Sequence, residues 1–82
     1  MPHRGTNQKK GAIVLLNEKL SALRKRAGFS QEKLAEILDV TRQAVQKWER
    51  GAAMPDIPKL IAITSLFGVS LDYLLNNRER DA

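Results

Sequence analysis

Residues 28–51 read GFSQEKLAEILDVTRQAVQKWERG and contain the start signals of two consecutive helices. Ser30 and Thr41 are residue types that cap helix N-termini, and apolar residues at helical spacing follow each of them. Asp39 stands between the two helices, where we expect a left-handed backbone because aspartate tolerates that conformation better than most residues. Two helices of about nine residues joined by a tight turn form the helix-turn-helix pattern.

The second helix of this pattern runs to Trp48 or Glu49 and has two distinct faces. At about 100° per residue, one face is apolar or small: Thr41, Ala44, Val45 and Trp48. The opposite face carries side chains that match base edges in the DNA major groove: Arg42, Gln43, Gln46 and Lys47. The alternative is an amphipathic helix whose polar face is only solvated. The preceding helix, the turn and the caps together favour the DNA-reading interpretation.

The flanking sequence predicts three more helices. Apolar residues spaced three or four apart predict a first helix: Ile13, Leu16, Leu20, Leu23 and Ala27. Asp56 and Ser70 predict the starts of a fourth and a fifth helix. The apolar residues of the fourth helix are Ile57, Leu60, Ile61, Ile63, Leu66 and Phe67. We therefore expect an all-α domain of five short helices over 12–76, between a flexible basic arm, 1–11, and a polar tail, 77–82. Ala35, Val45 and Trp48 are predicted to lie in its core, with Tyr73 at the edge.

The composition excludes several classes of protein. The 82 residues contain no cysteine, and the one histidine, His3, lies in the polar arm, so thiolate chemistry and disulfides are excluded. No nucleophile–base pair, metal-ligand cluster or phosphate-binding glycine loop is recognisable, which predicts a non-enzyme without cofactors. The longest apolar run, residues 12–16, is far shorter than the ~20 residues that span a bilayer. We expect a cytoplasmic protein with no membrane partner.

The net charge of +5 points to a polyanion partner, although charge alone does not separate DNA from RNA or a membrane surface. The excess is confined to residues 1–27, where seven lysines and arginines accompany one glutamate. Residues 28–50 are neutral, and residues 51–82 carry one net negative charge. The basic run Arg24-Lys25-Arg26 is either solvated helix surface or a contact to the polyanion. The helix-turn-helix pattern, and not the charge, is the specific evidence for DNA.

These residues resemble the helix-turn-helix of Cro and phage-repressor type regulators, also called the xenobiotic-response-element (XRE) family. The resemblance is carried by residues 28–35 and 41–51, and it continues through Pro55-Asp56 and residues 67–75. It covers roughly residues 16–76, and the combination of motifs is highly specific. It implies a compact five-helix repressor-type domain whose third helix lies in the DNA major groove.

By position, the resemblance also assigns roles to single residues. Arg42, Gln43 and Lys47 match residues that touch bases, and Gln46 is expected as an additional base contact. Arg24 matches a basic residue that pairs with the acid at Glu49 beneath the DNA backbone. The residues expected at phosphates are Gln31, Thr41, Arg50, Arg24 and Lys33. The sequence departs from the family at Asp39, where Gly or Asn is commoner, and at Gln46, where close relatives often carry Ser. The operator sequence therefore does not carry over.

Two functions compete at this level. The leading hypothesis is a sequence-specific double-stranded DNA-binding transcriptional regulator, a repressor that binds a palindromic operator as a homodimer, because a single domain reaches only a few base pairs. The alternative is an antitoxin or coactivator-like module whose main partner is another protein. The contact would then be the apolar cluster Ile13, Val14 and Leu15, which otherwise extends the core of the first helix.

Overall fold

The computed structural model describes residues 16–75, and five helices account for most of them. Within the described residues α1 covers 16–27, and the other helices are Gln31–Leu38 (α2), Arg42–Arg50 (α3), Ile57–Phe67 (α4) and Leu71–Leu75 (α5). Residues 16–75 contain no strand. The predicted all-α, five-helix class is confirmed. The predicted arm 1–11, the tail 77–82 and the cluster Ile13, Val14 and Leu15 lie outside the described residues.

Each helix from α2 to α5 begins at a side chain that accepts a hydrogen bond from the backbone amide three residues later. These bonds satisfy amides that have no partner within the helix, and each stabilises its helix by about 1 kcal/mol. The pairs are Ser30 with Lys33 (2.9 Å), Thr41 with Ala44 (3.1 Å), Asp56 with Lys59 (3.1 Å) and Ser70 with Tyr73 (2.9 Å). All four predicted N-caps are confirmed.

The turn between α2 and α3 depends on the left-handed backbone of Asp39, with φ 60° and ψ 49°. Its amide donates to the Glu36 carbonyl at 3.2 Å, and the next amide, of Val40, donates to the Ala35 carbonyl at 2.9 Å. These bonds end α2 after eight residues, one fewer than predicted. At the far end of α3, left-handed Gly51 donates to the Trp48 carbonyl at 3.2 Å, so α3 extends to Arg50, beyond the predicted end.

The core lies where α1, α2 and α3 meet α4 and α5. Its buried side chains are Leu16, Leu20, Leu23, Leu34, Ala35, Leu38, Val45, Trp48, Leu60, Ile63 and Leu74. Ala35, Val45 and Trp48 are buried as predicted, and the small side chain of Ala35 lets α2 and α3 approach closely. The Lys59 ammonium on α4 donates to the Leu38 carbonyl at 2.8 Å and so satisfies a carbonyl at the end of α2.

The α5 helix is held against α1 by Lys19 and Tyr73. The Lys19 ammonium lies 4.1 Å from the centroid of the Tyr73 ring and also donates to the Tyr73 backbone carbonyl. A cation over an aromatic face is attracted by the negative potential of the ring. Tyr73 is half-buried at the edge of the core, as predicted.

Replacing Asp39 by glycine is expected to stabilise the domain. Glycine adopts the left-handed conformation without steric cost, and the change removes a carboxylate from the negative end of the α2 dipole. We expect D39G to raise the free energy of unfolding by about 0.5–1 kcal/mol. The matched variant D39A also removes the carboxylate but lacks the conformational freedom of glycine, so it is expected to be about 1 kcal/mol less stable than D39G. Thermal unfolding followed by circular dichroism measures both changes. Equal Tm values for the two variants would contradict the steric cost expected of a side chain at this left-handed position.

Candidate nucleic-acid interface

The polar face of α3 is held outward by the apolar face beneath it. Val45 and Trp48 are buried, which fixes the rotation of the helix about its axis. Of the four predicted base-reading residues, Arg42, Gln43 and Lys47 are exposed. Gln46 differs from them because it is half-buried. The structure therefore brings three of the four side chains together on an open surface and places the fourth at its edge.

Glu49, near the end of α3, accepts hydrogen bonds from two other helices. The Arg24 guanidinium on α1 donates from Nε to Glu49 Oε2 at 2.7 Å and from Nη2 to Glu49 Oε1 at 3.1 Å. The Gln31 amide at the start of α2 donates to Glu49 Oε1 at 3.0 Å. The side chains of Arg24 and Glu49 are only 11% and 7% exposed. A bidentate pair of this kind is both strong and directional, so it fixes the three helices relative to one another.

The same arginine also closes the turn between α1 and α2, because Arg24 Nη1 donates to the Phe29 carbonyl at 2.8 Å. Its pairing with Glu49 is as predicted, but the guanidinium is thereby engaged within the protein. Arg24 thus positions its neighbours, and it also lines the same cleft as Gln31 and Arg50. Asn17 adds a contact that sequence reasoning missed: its amide donates to the Glu49 backbone carbonyl at 2.7 Å and ties α1 to the end of α3.

The remaining residues expected at phosphates lie in two separate places. Gln31 and Arg50 line a cleft of about 440 Å³ between α1 and α3, together with Gln46. Lys33 lines a second cleft of about 530 Å³, between α2 and the start of α3, together with Arg42. Neighbouring Thr41 is exposed at the start of α3. The α2 N-terminus therefore lies between two polar clefts.

Two of these residues already have partners in the protein. Thr41 Oγ1 accepts from the Ala44 amide at 3.1 Å, which leaves its hydroxyl hydrogen for an external acceptor. The Lys33 ammonium lies 3.5 Å from Glu36 Oε1, and both side chains are more than half exposed. An exposed pair of this kind contributes under about 1 kcal/mol and is readily exchanged for another anion.

Sequence reasoning did not assign Ser21 and Lys25 of α1, which line the first cleft. Lys25 belongs to the basic run Arg24-Lys25-Arg26, in which the sequence assigned a specific role to Arg24 but none to Lys25 or Arg26. The structure separates two of them by direction, because Lys25 lines the cleft beside α3 whereas Arg26 lines a cavity formed with Leu66, Phe67 and Tyr73. No helix within residues 16–75 is long and apolar enough to cross a membrane. The same residues contain no cluster of His, Cys, Asp or Glu suited to a metal ion.

A helix-turn-helix family model matches residues 20–74, which include every element of the interface. The chain belongs to the helix-turn-helix family. The predicted resemblance to Cro and phage-repressor type (XRE) regulators is confirmed, and the chain carries a DNA-binding domain of the helix-turn-helix type.

Two curated relatives and one solved structure are similar to this domain. The HTH-type transcriptional activator BcrR of Enterococcus faecalis is 44% identical over 77% of this chain and 31% of its own length. The prophage-derived HTH-type transcriptional regulator YonR of Bacillus subtilis (strain 168) is 39% identical over 74% of this chain and 56% of its own length. The chain thus spans about a third and about half of these helix-turn-helix proteins.

The solved structure is the P22 c2 repressor in complex with synthetic operator 9T. It superimposes with a TM-score of 0.72 at 32% identity and covers 76% of this chain and 94% of its own. The helix-turn-helix fold is therefore shared over nearly the entire length of that repressor chain.

The network around Glu49 is expected to be the main polar contribution to stability. Because removing one member of a buried charge pair leaves the other without compensation, we expect E49Q to lower the free energy of unfolding by about 2–4 kcal/mol. The matched control E36Q removes the carboxylate of an exposed pair and is expected to change it by less than about 0.5 kcal/mol. Urea unfolding measures both free energies. Equal effects of the two substitutions would show that the buried network stabilises the domain no more than the exposed pair does.

Proposed function

We propose that this chain is a sequence-specific double-stranded DNA-binding transcriptional regulator that inserts α3 into the major groove. The observation that carries the proposal is the exposed face of α3, where Arg42, Gln43 and Lys47 stand opposite the buried Val45 and Trp48. The likeness to the P22 c2 repressor, which was solved in complex with a synthetic operator, supports the same role.

The chemistry of this face suits base edges. The major groove is about 12 Å wide, enough to admit one helix, and its base pairs differ in their donors and acceptors. Arg42 and Gln43 lie in the first turn of α3, the end that reads bases in helix-turn-helix proteins. Arginine donates two parallel bonds to guanine, and glutamine both donates to and accepts from adenine. Lys47 lies one turn later, and Gln46 is the additional contact at the edge of the face.

The residues around α3 suit the DNA backbone. Gln31, Thr41, Arg50 and Lys33 lie beside the reading face, in the two clefts that flank α2 or next to them. Such contacts set the orientation of a protein on the duplex but carry no sequence information. In this proposal Arg24 acts through Glu49 and Gln31, because its guanidinium is bound within the protein.

The proposal further includes repression as a homodimer on a palindromic operator. One α3 helix contacts only a few base pairs, so a single domain has too little specificity to select one genomic site. Two copies with their α3 helices about 34 Å apart would read two half-sites one helical turn apart. Repression is supported by the likeness to the P22 c2 repressor, and a promoter-reporter assay would distinguish it from activation.

Truncating Arg42 or Gln43, which lie in the first turn of α3, is expected to remove the preference for one base. We expect R42A and Q43A each to weaken binding to a selected operator duplex by about 1–3 kcal/mol and to relax the preference at one position. R26A is the matched control, since it removes an arginine that lies away from α3. Fluorescence anisotropy on selected and random duplexes measures the discrimination; unchanged discrimination in both α3 variants would show that α3 does not read the bases.

Selection of bound sequences from random DNA tests the homodimer. We expect inverted repeats whose half-site centres lie about 10–10.5 base pairs apart, because two-fold symmetry of the protein must match the operator. A single asymmetric site bound by one copy, as measured by analytical ultracentrifugation of the complex, would refute the dimer and leave DNA binding intact.

A further inference from the structure

The cavity beside Arg26 differs from the two clefts around α2, because apolar side chains form most of its lining. It has a volume of about 430 Å³ and lies where the last turn of α1 meets the end of α4 and α5. Its apolar lining residues are Leu23, Ala27, Leu66, Phe67 and Val69. Small-molecule sites in proteins have volumes of about 300–1,000 Å³ and are lined mainly by apolar and aromatic side chains, with a few polar groups. The size and the lining of this cavity therefore match a site for a small molecule.

The walls of the cavity are held in place by contacts with residues outside it. The ring of Phe67 lies against the ring of Phe29, with 6.3 Å between the ring centroids and an angle of 45° between the planes. The Lys19 ammonium lies 4.1 Å from the centroid of the Tyr73 ring. Leu23 is only 8% exposed and belongs to the core. Because these side chains are already ordered, a ligand would bind without the entropic cost of fixing them.

Two hydrogen-bond donors complete the lining, and no carboxylate belongs to it. The Arg26 guanidinium forms no ion pair or hydrogen bond with another residue of the range 16–75. The Tyr73 hydroxyl also lacks a hydrogen-bond partner in that range, although the backbone of Tyr73 is bonded to Lys19 and Ser70. A guanidinium and a phenol hydroxyl can both donate to one carboxylate. The cavity is therefore complementary to an apolar molecule that carries one negative charge.

We propose that this cavity binds a small aromatic carboxylate. Its ring packs against Phe67 and Tyr73, and its carboxylate accepts hydrogen bonds from the Arg26 guanidinium and the Tyr73 hydroxyl. An aromatic body suits this lining, because offset and edge-to-face ring pairs are more stable than their contact area alone predicts. Arg26 and Tyr73 line neither of the two clefts around α2. The site is therefore separate from the proposed DNA-binding surface, and the inference does not rest on the proposed function.

Titration with 2-naphthoate and with its uncharged counterpart 2-naphthamide tests the site. The two compounds share one ring system and nearly one shape, so they differ mainly in the charge that Arg26 would bind. We expect 2-naphthoate to shift the backbone NMR resonances of Leu23, Phe67 and Val69 with a Kd of about 0.1–1 mM. The amide should bind about tenfold more weakly, because it lacks the charge-assisted hydrogen bonds.

The adjacent residues Lys25 and Arg26 provide matched variants for the same titration. Both are exposed cations in the last turn of α1, but only Arg26 lines the cavity. We expect R26Q to bind 2-naphthoate about tenfold more weakly and to bind the two compounds equally, since the charge pair is then removed from the protein side. K25Q should remain within about twofold of the parent chain.

The variant A27L tests the position of the ligand. Ala27 is exposed at the end of α1 and lines the cavity, so a leucine there should fill part of the space and weaken the binding of both compounds. Leucine is a good helix former, and thermal unfolding followed by circular dichroism checks that the variant is folded. Equal affinities of A27L and the parent chain for both compounds would place the ligand elsewhere and overturn the site.

Three further outcomes would also overturn the assignment. If 2-naphthoate at millimolar concentration leaves the resonances of the lining residues unchanged, the cavity binds no aromatic carboxylate. If the parent chain binds 2-naphthoate and 2-naphthamide equally, or R26Q and K25Q bind 2-naphthoate equally, Arg26 does not recognise the carboxylate. If A27L converts a dimer of the free chain to a monomer in analytical ultracentrifugation, a second copy occupies the cavity. None of these results changes the binding of the parent chain to operator duplexes, so the proposed function is tested separately.

Discussion

The Glu49 carboxylate connects the part of the domain suited to reading bases with the part suited to phosphates. It projects from α3 and accepts hydrogen bonds from Arg24 on α1 and Gln31 on α2. The same arginine donates to the Phe29 carbonyl, so the turn between α1 and α2 is fixed by the same group. Because both oxygens are engaged and nearly buried, a shift of any one helix would break a charged hydrogen bond in a poorly solvated place.

The core determines what α3 can present. Val45 and Trp48 anchor the helix, and Ala35 allows α2 to lie close to it. The side chains of Arg42, Gln43 and Lys47 form no hydrogen bond or ion pair within residues 16–75 and are open to solvent, whereas Glu49 on the same helix belongs to the buried network. The net charge does not lie in the segment proposed to read bases. Residues 28–50, which contain α2 and α3, are neutral, whereas the net positive charge lies in residues 1–27. Attraction to DNA would therefore come largely from outside the unit that reads it.

Features that depend on neighbouring residues were predictable from sequence. The caps at Ser30, Thr41, Asp56 and Ser70 and the left-handed Asp39 follow from chemistry within about four residues. Predictions from periodicity are less complete. Ile57 and Ile61 belong to the apolar set of α4, yet they are 67% and 54% exposed. Helical spacing shows which residues share a face, but it does not show how much of that face a neighbouring helix covers.

Local sequence was enough to predict the helix-turn-helix, the starts of α2 to α5 and the two faces of α3, because these features depend on propensity and spacing within a few residues. The pairing of Arg24 with Glu49 was expected from the resemblance, but the places of the next two cations depend on tertiary packing. Lys25 lines the cleft beside α3, whereas Arg26 lines a cavity formed with residues of α4 and α5. Their separation comes from the 100° rotation between successive helical residues together with the packing of α1 against different neighbours on each side.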